Sequence, residues 1–420
     1  MIGFYYSGGE FYADDLKIKD LAKTIGTPFY CYSASLIEHR FKHFQAHLPK
    51  NRTLICYALK ANSNQAIIKT LGRLGAGADV VSEGELRRAL TANIPPDRIV
   101  FAGVGKQKNE ITFALQNNIY QFNVESVEEL KVLNQIAEEL KIKAKIALRI
   151  NPNVDALTHG KITTGKSENK FGINIDQAFE VYNYAKQLSW IDIKGVAVHI
   201  GSQLIDWQPF YQSFQKIAQL VKELKKNNFP ISRIDLGGGI GIDYHLDQLP
   251  NISEYCSIVE KTVGYLDCDL IFEPGRSLCA DSGILVSKTI YVKKGSDRSF
   301  VIIDAAMNDF IRPTLYDAWH NIQPVKEPLK DEKFYTYDIV GPVCETGDTF
   351  ALQRHLPYIS NEDLLVIRST GAYGAVMSSN YNTRLNAPEI MVYKNQYKII
   401  RERTNYHDLI MLDQLPDWLE

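Results

Sequence analysis

The chain has 420 residues, 45% of them hydrophobic and 23% charged, with a formal net charge of −2 at pH 7. That length exceeds the usual single core, so two domains are expected. The near-neutral charge offers no basic face for nucleic acid, and no apolar run reaches the length of a membrane span.

The segment Met1–Tyr6 lacks the basic-then-apolar layout of a signal peptide, which makes a reduced cytoplasmic setting the expectation. Gly3–Tyr6 and Phe11–Tyr12 read as short strands. Ser33–Leu48 reads as a helix with Leu36, Phe41, Phe44 and Leu48 on its apolar side. Eight short apolar runs follow: Thr53–Leu59, Gly77–Val81, Ile99–Ala102, Gln121–Val124, Lys145–Ile150, Gly195–Ile200, Arg233–Leu236 and Leu270–Glu273. They are continuous rather than alternating, as parallel strands buried on both faces should be. Helical periodicity fills the gaps, clearest in Ser126–Leu140 and Pro209–Lys226, and Ser126 lies three residues before Glu129 at capping-box spacing. This pattern predicts an α/β (β/α)8 TIM-like barrel over 31–273, although an open doubly wound sheet satisfies the same periodicity. After Glu273 the texture changes. Ile284–Val292, Phe300–Ile303, Tyr335–Val340, Leu364–Ile367, Glu389–Tyr393 and Tyr397–Ile400 read as strands, predicting a β-rich sandwich or barrel-like domain from 1–30 and 274–420.

Several barrel strands end in residues suited to chemistry: Lys60, Asp79, Arg149, His199, Gly237-Gly238-Gly239 and Glu273. Parallel barrels gather such ends at one face, where active sites of that fold lie. Alone, Lys60 reads as a lysine snorkelling from the rim; in company it can lose its charge and form a Schiff base. The triple glycine serves a tight turn or lets backbone N–H groups approach an anion. Glu273 suits a ring nitrogen kept protonated, and Arg276 a phosphate or carboxylate; a salt bridge bracing the domain junction, with Arg149 beside Glu273, is the alternative. His199 is either a satisfied core residue or a ring stacked on a cofactor, with Ser202 near phosphate. One lysine, one histidine, a glycine turn and one acid suit pyridoxal 5'-phosphate. Six cysteines (Cys31, Cys56, Cys256, Cys268, Cys279, Cys344) form no zinc spacing, and no metal is expected. Cys344, followed by Glu345, is an inert loop cysteine or a proton donor, since an ordinary thiol is mostly protonated at neutral pH.

Six segments in order resemble the alanine-racemase-like, fold-type III pyridoxal-phosphate decarboxylases. They are Tyr57-Ala58-Leu59-Lys60-Ala61-Asn62, His199-Ile200-Gly201-Ser202, Gly237-Gly238-Gly239, Glu273-Pro274-Gly275-Arg276, Gly341-Pro342-Val343-Cys344-Glu345 and Gly371-Ala372-Tyr373-Gly374. The resemblance implies Lys60 as Schiff-base lysine, His199 as ring-stacking residue and Glu273 as partner of the pyridine nitrogen. It implies Ser202, Gly238, Gly239, Pro274, Gly275, Arg276 and Tyr373 around the cofactor, with Asp79 and Arg149 alongside. Cys344 matches the proton donor, reaching with Glu345 across a homodimer interface. Within the family, Arg312-Pro313-Thr314-Leu315-Tyr316 resembles the branch that converts meso-diaminopimelate to lysine, where Arg312 and Tyr316 hold the distal carboxylate. Arg276, Glu345 and Tyr373 are further expected substrate contacts. Asn380-Tyr381-Asn382 is familiar from that branch but carries no assigned role. Decarboxylation of carboxynorspermidine or ornithine, a racemase, and a non-catalytic pyridoxal-phosphate-binding relative are the competing readings. Retention of both Lys60 and Cys344 argues against the last.

Overall fold

Eight parallel strands run through the middle of the chain: Thr53–Ala58, Gly77–Val80, Ile99–Phe101, Gln121–Val124, Ala144–Asn151, Ile191–Ala197, Arg233–Asp235 and Asp269–Phe272. Each pairs with the next, and the eighth returns to the first through Leu270–Thr53, Ile271–Leu54 and Phe272–Ile55. The sheet is therefore a closed barrel, which excludes the open-sheet alternative. The structure, a computed structural model, describes residues 2–49, 52–155, 170–245, 249–295 and 298–419. The sixth strand begins at Ile191, earlier than the expected Gly195, because it pairs along the fifth from Ala144 onward.

The second and fourth strands are buried along their whole length, which explains why barrel runs show no polar alternation toward solvent. Polar residues within them face one another instead. Gln121 and Asn123, two apart and so on one face of their strand, are joined by a 2.9 Å hydrogen bond from Gln121 Nε2 to Asn123 Oδ1. Outside the strands, helix Val127–Leu140 starts on the Ser126 hydroxyl, which accepts from Glu129 N–H at 3.1 Å, a cap worth about 1 kcal/mol. Its capping box is only half formed, since Glu129 Oε2 accepts from Glu125 N–H rather than from Ser126.

The chain divides into two units: 38–243 with 249–278, and 1–37 with 244–248 and 279–420. The boundaries thus lie several residues beyond 30/31 and 273/274. Phe29–Ser33 is responsible on the N-terminal side: it is a strand of the second unit, between Gly283–Lys294 (antiparallel) and Glu389–Tyr393 (parallel). The remaining order on that sheet is Thr349–Pro357, Phe334–Val340, Ser299–Ile303, Gly283–Lys294 on one side and Gln396–Arg401 beyond Glu389–Tyr393 on the other. Leu364–Ile367 branches from Gly283–Lys294 and in turn pairs with Ile322–Pro324. Sequence reading missed Phe29–Ser33, Ile322–Pro324 and Thr349–Pro357, and also the helix Ile18–Ile25. The N-terminal strands Phe4–Ser7 and Glu10–Ala13 form a small sheet whose Phe4 and Phe11 share a core with Phe29, Ile284, Val286, Val366 and Ile390. Among the described residues no helix is long and apolar enough to cross a membrane.

Candidate active site

Inside the barrel unit, Lys60 sits in a short 3-10 turn, Leu59–Ala61, directly after the first strand. Its Nζ donates to Asp79 Oδ2 at 2.7 Å, with Lys60 37% exposed and Asp79 fully buried at the end of the second strand. The other carboxylate oxygen of Asp79 is buried without a hydrogen-bond partner among the described residues. Behind this pair lie two more buried acids. Asn123 Nδ2 bridges them, donating to Asp235 Oδ2 at 2.8 Å and to Glu273 Oε1 at 3.2 Å. Burial, then the Asp235 and Asp79 charges, hold the Glu273 carboxyl well above the usual range. Burial also pushes Asp235 up to about 6, opposed by its bonds from Asn123 and the Gly237 N–H. Three buried acids crowded around one lysine leave Glu273 holding a proton, which a basic ring nitrogen placed against it would take up.

The glycine turn is a packing requirement. Gly237 has φ +66, and a Cβ there would lie 2.4 Å from Val198 O; at Gly238 it would lie 2.2 Å from Glu273 O. Without side chains, the ends of the sixth, seventh and eighth strands close on one another. Gly238 N–H donates to His199 Nδ1 at 3.2 Å, so that nitrogen carries a lone pair. Burial, reinforced by Arg149 and Lys60, holds His199 well below its ordinary pKa. The ring is neutral. Beyond the eighth strand, Arg276 Nη2 donates to Ser202 Oγ at 3.0 Å, placing two expected phosphate donors side by side. A Cβ on Gly275 would press on Ala58 and Ala61 at 3.1 and 3.0 Å. Arg149 pairs with Glu125 at 2.8 Å, not with Glu273 as the bracing alternative had it.

The β-rich unit gathers the remaining expected residues. Arg312–Tyr316 forms a short helix ended by Asp317 in the left-handed region. Thr314 Oγ1 donates to Gly347 O at 2.6 Å, which fastens this helix to the loop carrying Cys344 and Glu345. That loop is folded around Asp348, whose carboxylate accepts from Met307 N–H and Val343 N–H, both at 2.7 Å. Cys344 is exposed, whereas Cys31, Cys56, Cys256, Cys268 and Cys279 are buried. Its Sγ lies 3.6 Å from Asn382 Oδ1, and Tyr381 hydrogen-bonds Glu345. Tyr373, at φ +56, follows Gly371, where a Cβ would lie 1.9 Å from Cys279 O. Arg312 is buried, with Nη1 2.7 Å from His320 Nε2.

Sequence reasoning therefore missed Asp235, Asn123, Glu125 and His320, and it named Asn382 without a role. Asp235 carried a usable signal, an acid at the end of an apolar strand two residues before the glycines. His320 carried none, for a lone histidine after a polar turn is ordinary.

The residues present fit pyridoxal phosphate: an amine with a buried carboxylate beside it, a neutral imidazole, a buried acid held protonated by its acidic neighbours, and an arginine–serine pair. Comparison with known proteins agrees. Residues 34–280 match the model of the pyridoxal-dependent decarboxylase, pyridoxal binding domain. A diaminopimelate decarboxylase of Zymomonas mobilis is 45% identical, covering 100% of both chains. The crystal structure of diaminopimelate decarboxylase from Helicobacter pylori complexed with L-lysine is 43% identical, covering 94% of this chain and 98% of that one, at a TM-score of 0.90. The enzyme from M. jannaschii in co-complex with L-lysine is 38% identical over 100% of both chains, at 0.94. On this fold, these barrel residues and these full-length matches, the chain belongs to the pyridoxal-dependent decarboxylases, and within them to the diaminopimelate decarboxylase family.

Proposed function

We propose that this protein decarboxylates meso-2,6-diaminopimelate to L-lysine and carbon dioxide, the last step of lysine biosynthesis. The observation that carries the reading is Lys60 set against the buried acids Asp79, Asp235 and Glu273 inside a barrel of this family. When bound, pyridoxal phosphate would supply the electron sink that loss of carbon dioxide from Cα requires.

The protein's own groups do the rest. Lys60 holds the cofactor through its amine, with Asp79 keeping that amine in place. Glu273, whose proton affinity is raised by burial and its acidic neighbours, would share its proton with the ring nitrogen and pair with the cation so formed. Neutral His199 offers an uncharged ring face. Arg276, Ser202 and the Gly238–Gly239 backbone hold the phosphate, with Pro274, Gly275 and Tyr373 shaping that region, and Arg149, paired with Glu125, lowering the proton affinity of His199. Cys344 gives its thiol proton to Cα. Arg312 and Tyr316 hold the distal carboxylate, and Glu345 the distal ammonium. A substrate ending only in an ammonium, such as ornithine, would meet a guanidinium where it needs an acid, which disfavours that alternative. The reading includes a homodimer in which Cys344 and Glu345 complete the neighbour's site, and a cytoplasmic location.

The test is incubation of purified protein and cofactor with meso-diaminopimelate, measuring carbon dioxide and lysine. Lysine formation that vanishes in Lys60→Ala supports the reading; turnover of ornithine without turnover of diaminopimelate refutes it.

A further inference from the structure

We infer that His320 is a positioning residue that aims Arg312 at the distal carboxylate of the substrate. The inference rests on the substrate reading above and adds the residue on which its specificity depends.

Both side chains lie in the β-rich unit and both are buried, His320 completely. The imidazole is held at both nitrogens. Nδ1 lies 2.9 Å from Arg368 O, and a carbonyl oxygen can only accept, so Nδ1 carries the proton. Nε2 then has a lone pair and accepts from Arg312 Nη1 at 2.7 Å. A backbone carbonyl just past the strand Leu364–Ile367 thus fixes the tautomer, and the tautomer fixes the guanidinium. Rings set the remaining freedom. Tyr244 and Phe310 stand edge-on to His320 with centroids at 4.8 and 4.7 Å, and the Arg312 guanidinium lies 4.8 Å over the Tyr244 ring. Bidentate recognition of a carboxylate needs a fixed guanidinium plane, and this arrangement supplies one.

The surrounding charge favours the same state. Arg354 Nη2 donates to His320 O at 3.0 Å, and its guanidinium lies 4.1 Å over the Trp319 ring. Arg368 contributes its carbonyl to the imidazole while its own Nη1 reaches Phe4 O at 3.2 Å. Beside Arg312, an imidazolium would be a further cation, and it would have no lone pair for the guanidinium. The two hydrogen bonds therefore need the neutral ring. The competing reading is a core histidine that merely braces the Arg368 backbone.

Four variants of the holoenzyme separate these: His320→Phe, His320→Gln, His320→Asn and Arg312→Lys. L-Lysine, which retains the distal carboxylate, and cadaverine, which lacks it, serve as ligands in calorimetry beside steady-state kinetics. Loss of a charge-assisted bond predicts that His320→Phe raises KM for meso-diaminopimelate about tenfold, with a smaller change in kcat. L-Lysine affinity should fall by a similar factor while cadaverine affinity holds. Gln places an amide oxygen near the Nε2 position and should recover most of the loss. Asn reaches only the Nδ1 position and should not, so the Gln–Asn pair decides the matter even if Phe fails to fold. Wild-type KM and L-lysine affinity in His320→Asn, or equal loss of L-lysine and cadaverine in all three variants, overturns the inference. If Arg312→Lys leaves KM and L-lysine affinity untouched, the substrate reading itself fails.

Discussion

Replacing Gly238 with alanine tests whether the seam between the seventh and eighth strands is set by close backbone approach. A Cβ there would sit 2.2 Å from Glu273 O and 3.1 Å from Glu273 C, and neither atom belongs to a side chain that can swing away. Relief requires the strand ends to part, and the bond most exposed to that motion is Glu273 N–H to Gly237 O at 2.7 Å. Overpacking costs about 1–3 kcal/mol, and a weakened buried backbone bond about 1–2 kcal/mol more. A total near 3 kcal/mol lowers the melting temperature by about 6–12 °C in a unit of this size. The same motion displaces Glu273 and withdraws the Gly238 N–H from His199, so cofactor affinity should fall with stability. Thermal melting of the cofactor-free protein, paired with a visible-absorbance titration of pyridoxal phosphate, reads both effects. Gly105, where a Cβ meets nothing within 4 Å, is the control, and Gly105→Ala should melt like the wild type. A Gly238→Ala protein with unchanged melting and unchanged cofactor affinity would refute this reasoning.

Three further outcomes follow from the geometry. Glu85 is pushed to about 7 from the ordinary 4.5, chiefly by burial. Between those values unfolding releases a proton, so its contribution to stability declines by up to about 3 kcal/mol as pH rises from 4.5 to 7. Urea unfolding at pH 5 and pH 8 should show Glu85→Gln gaining on the wild type at the higher pH; an unchanged gap would refute the assignment. Removing the Asn382 side chain that hydrogen-bonds Cys344 Sγ should speed iodoacetamide alkylation of that thiol about two- to fivefold, because the contact restrains the sulfur and covers one side of it. An equal or slower rate in Asn382→Ala would show that the contact does not restrain the thiol. Mixing inactive Lys60→Ala and Cys344→Ala proteins should restore up to about a quarter of wild-type activity if sites are shared across a dimer. No recovery after verified subunit exchange would place each site within one chain.

The barrel was legible because parallel strands covered on both faces leave uninterrupted apolar runs, and eight of them alternate with helical periodicity. Closure was not, since it depends on Asp269–Phe272 meeting Thr53–Ala58, a pairing more than 200 residues apart that leaves no local trace. Lys60, His199 and Glu273 could be singled out because each ends an apolar strand in a residue that does not belong in a core. Asn123 and Asp235 lie in the middle and at the end of such strands and face inward, where composition alone does not separate a polar barrel layer from an edge. The alternative that set Arg149 beside Glu273 fails because the fifth strand pairs directly with the fourth, which brings Arg149 against Glu125, one residue past that strand. Phe29–Ser33 went unseen because a central strand supplied by distant sequence looks, locally, like the lead-in to a helix.

That strand has a consequence for biosynthesis. All five of its residues are buried, and its partners are Gly283–Lys294 and Glu389–Tyr393. The ribosome releases Phe29 some 250 residues before the first partner and about 360 before the second. The barrel, whose strands all precede residue 273, can form in that interval, while an apolar ribbon at the nascent N-terminus waits unpaired. Completion of the second unit therefore waits on the synthesis of Glu389–Tyr393, and chains stalled before it expose an unpaired sheet edge.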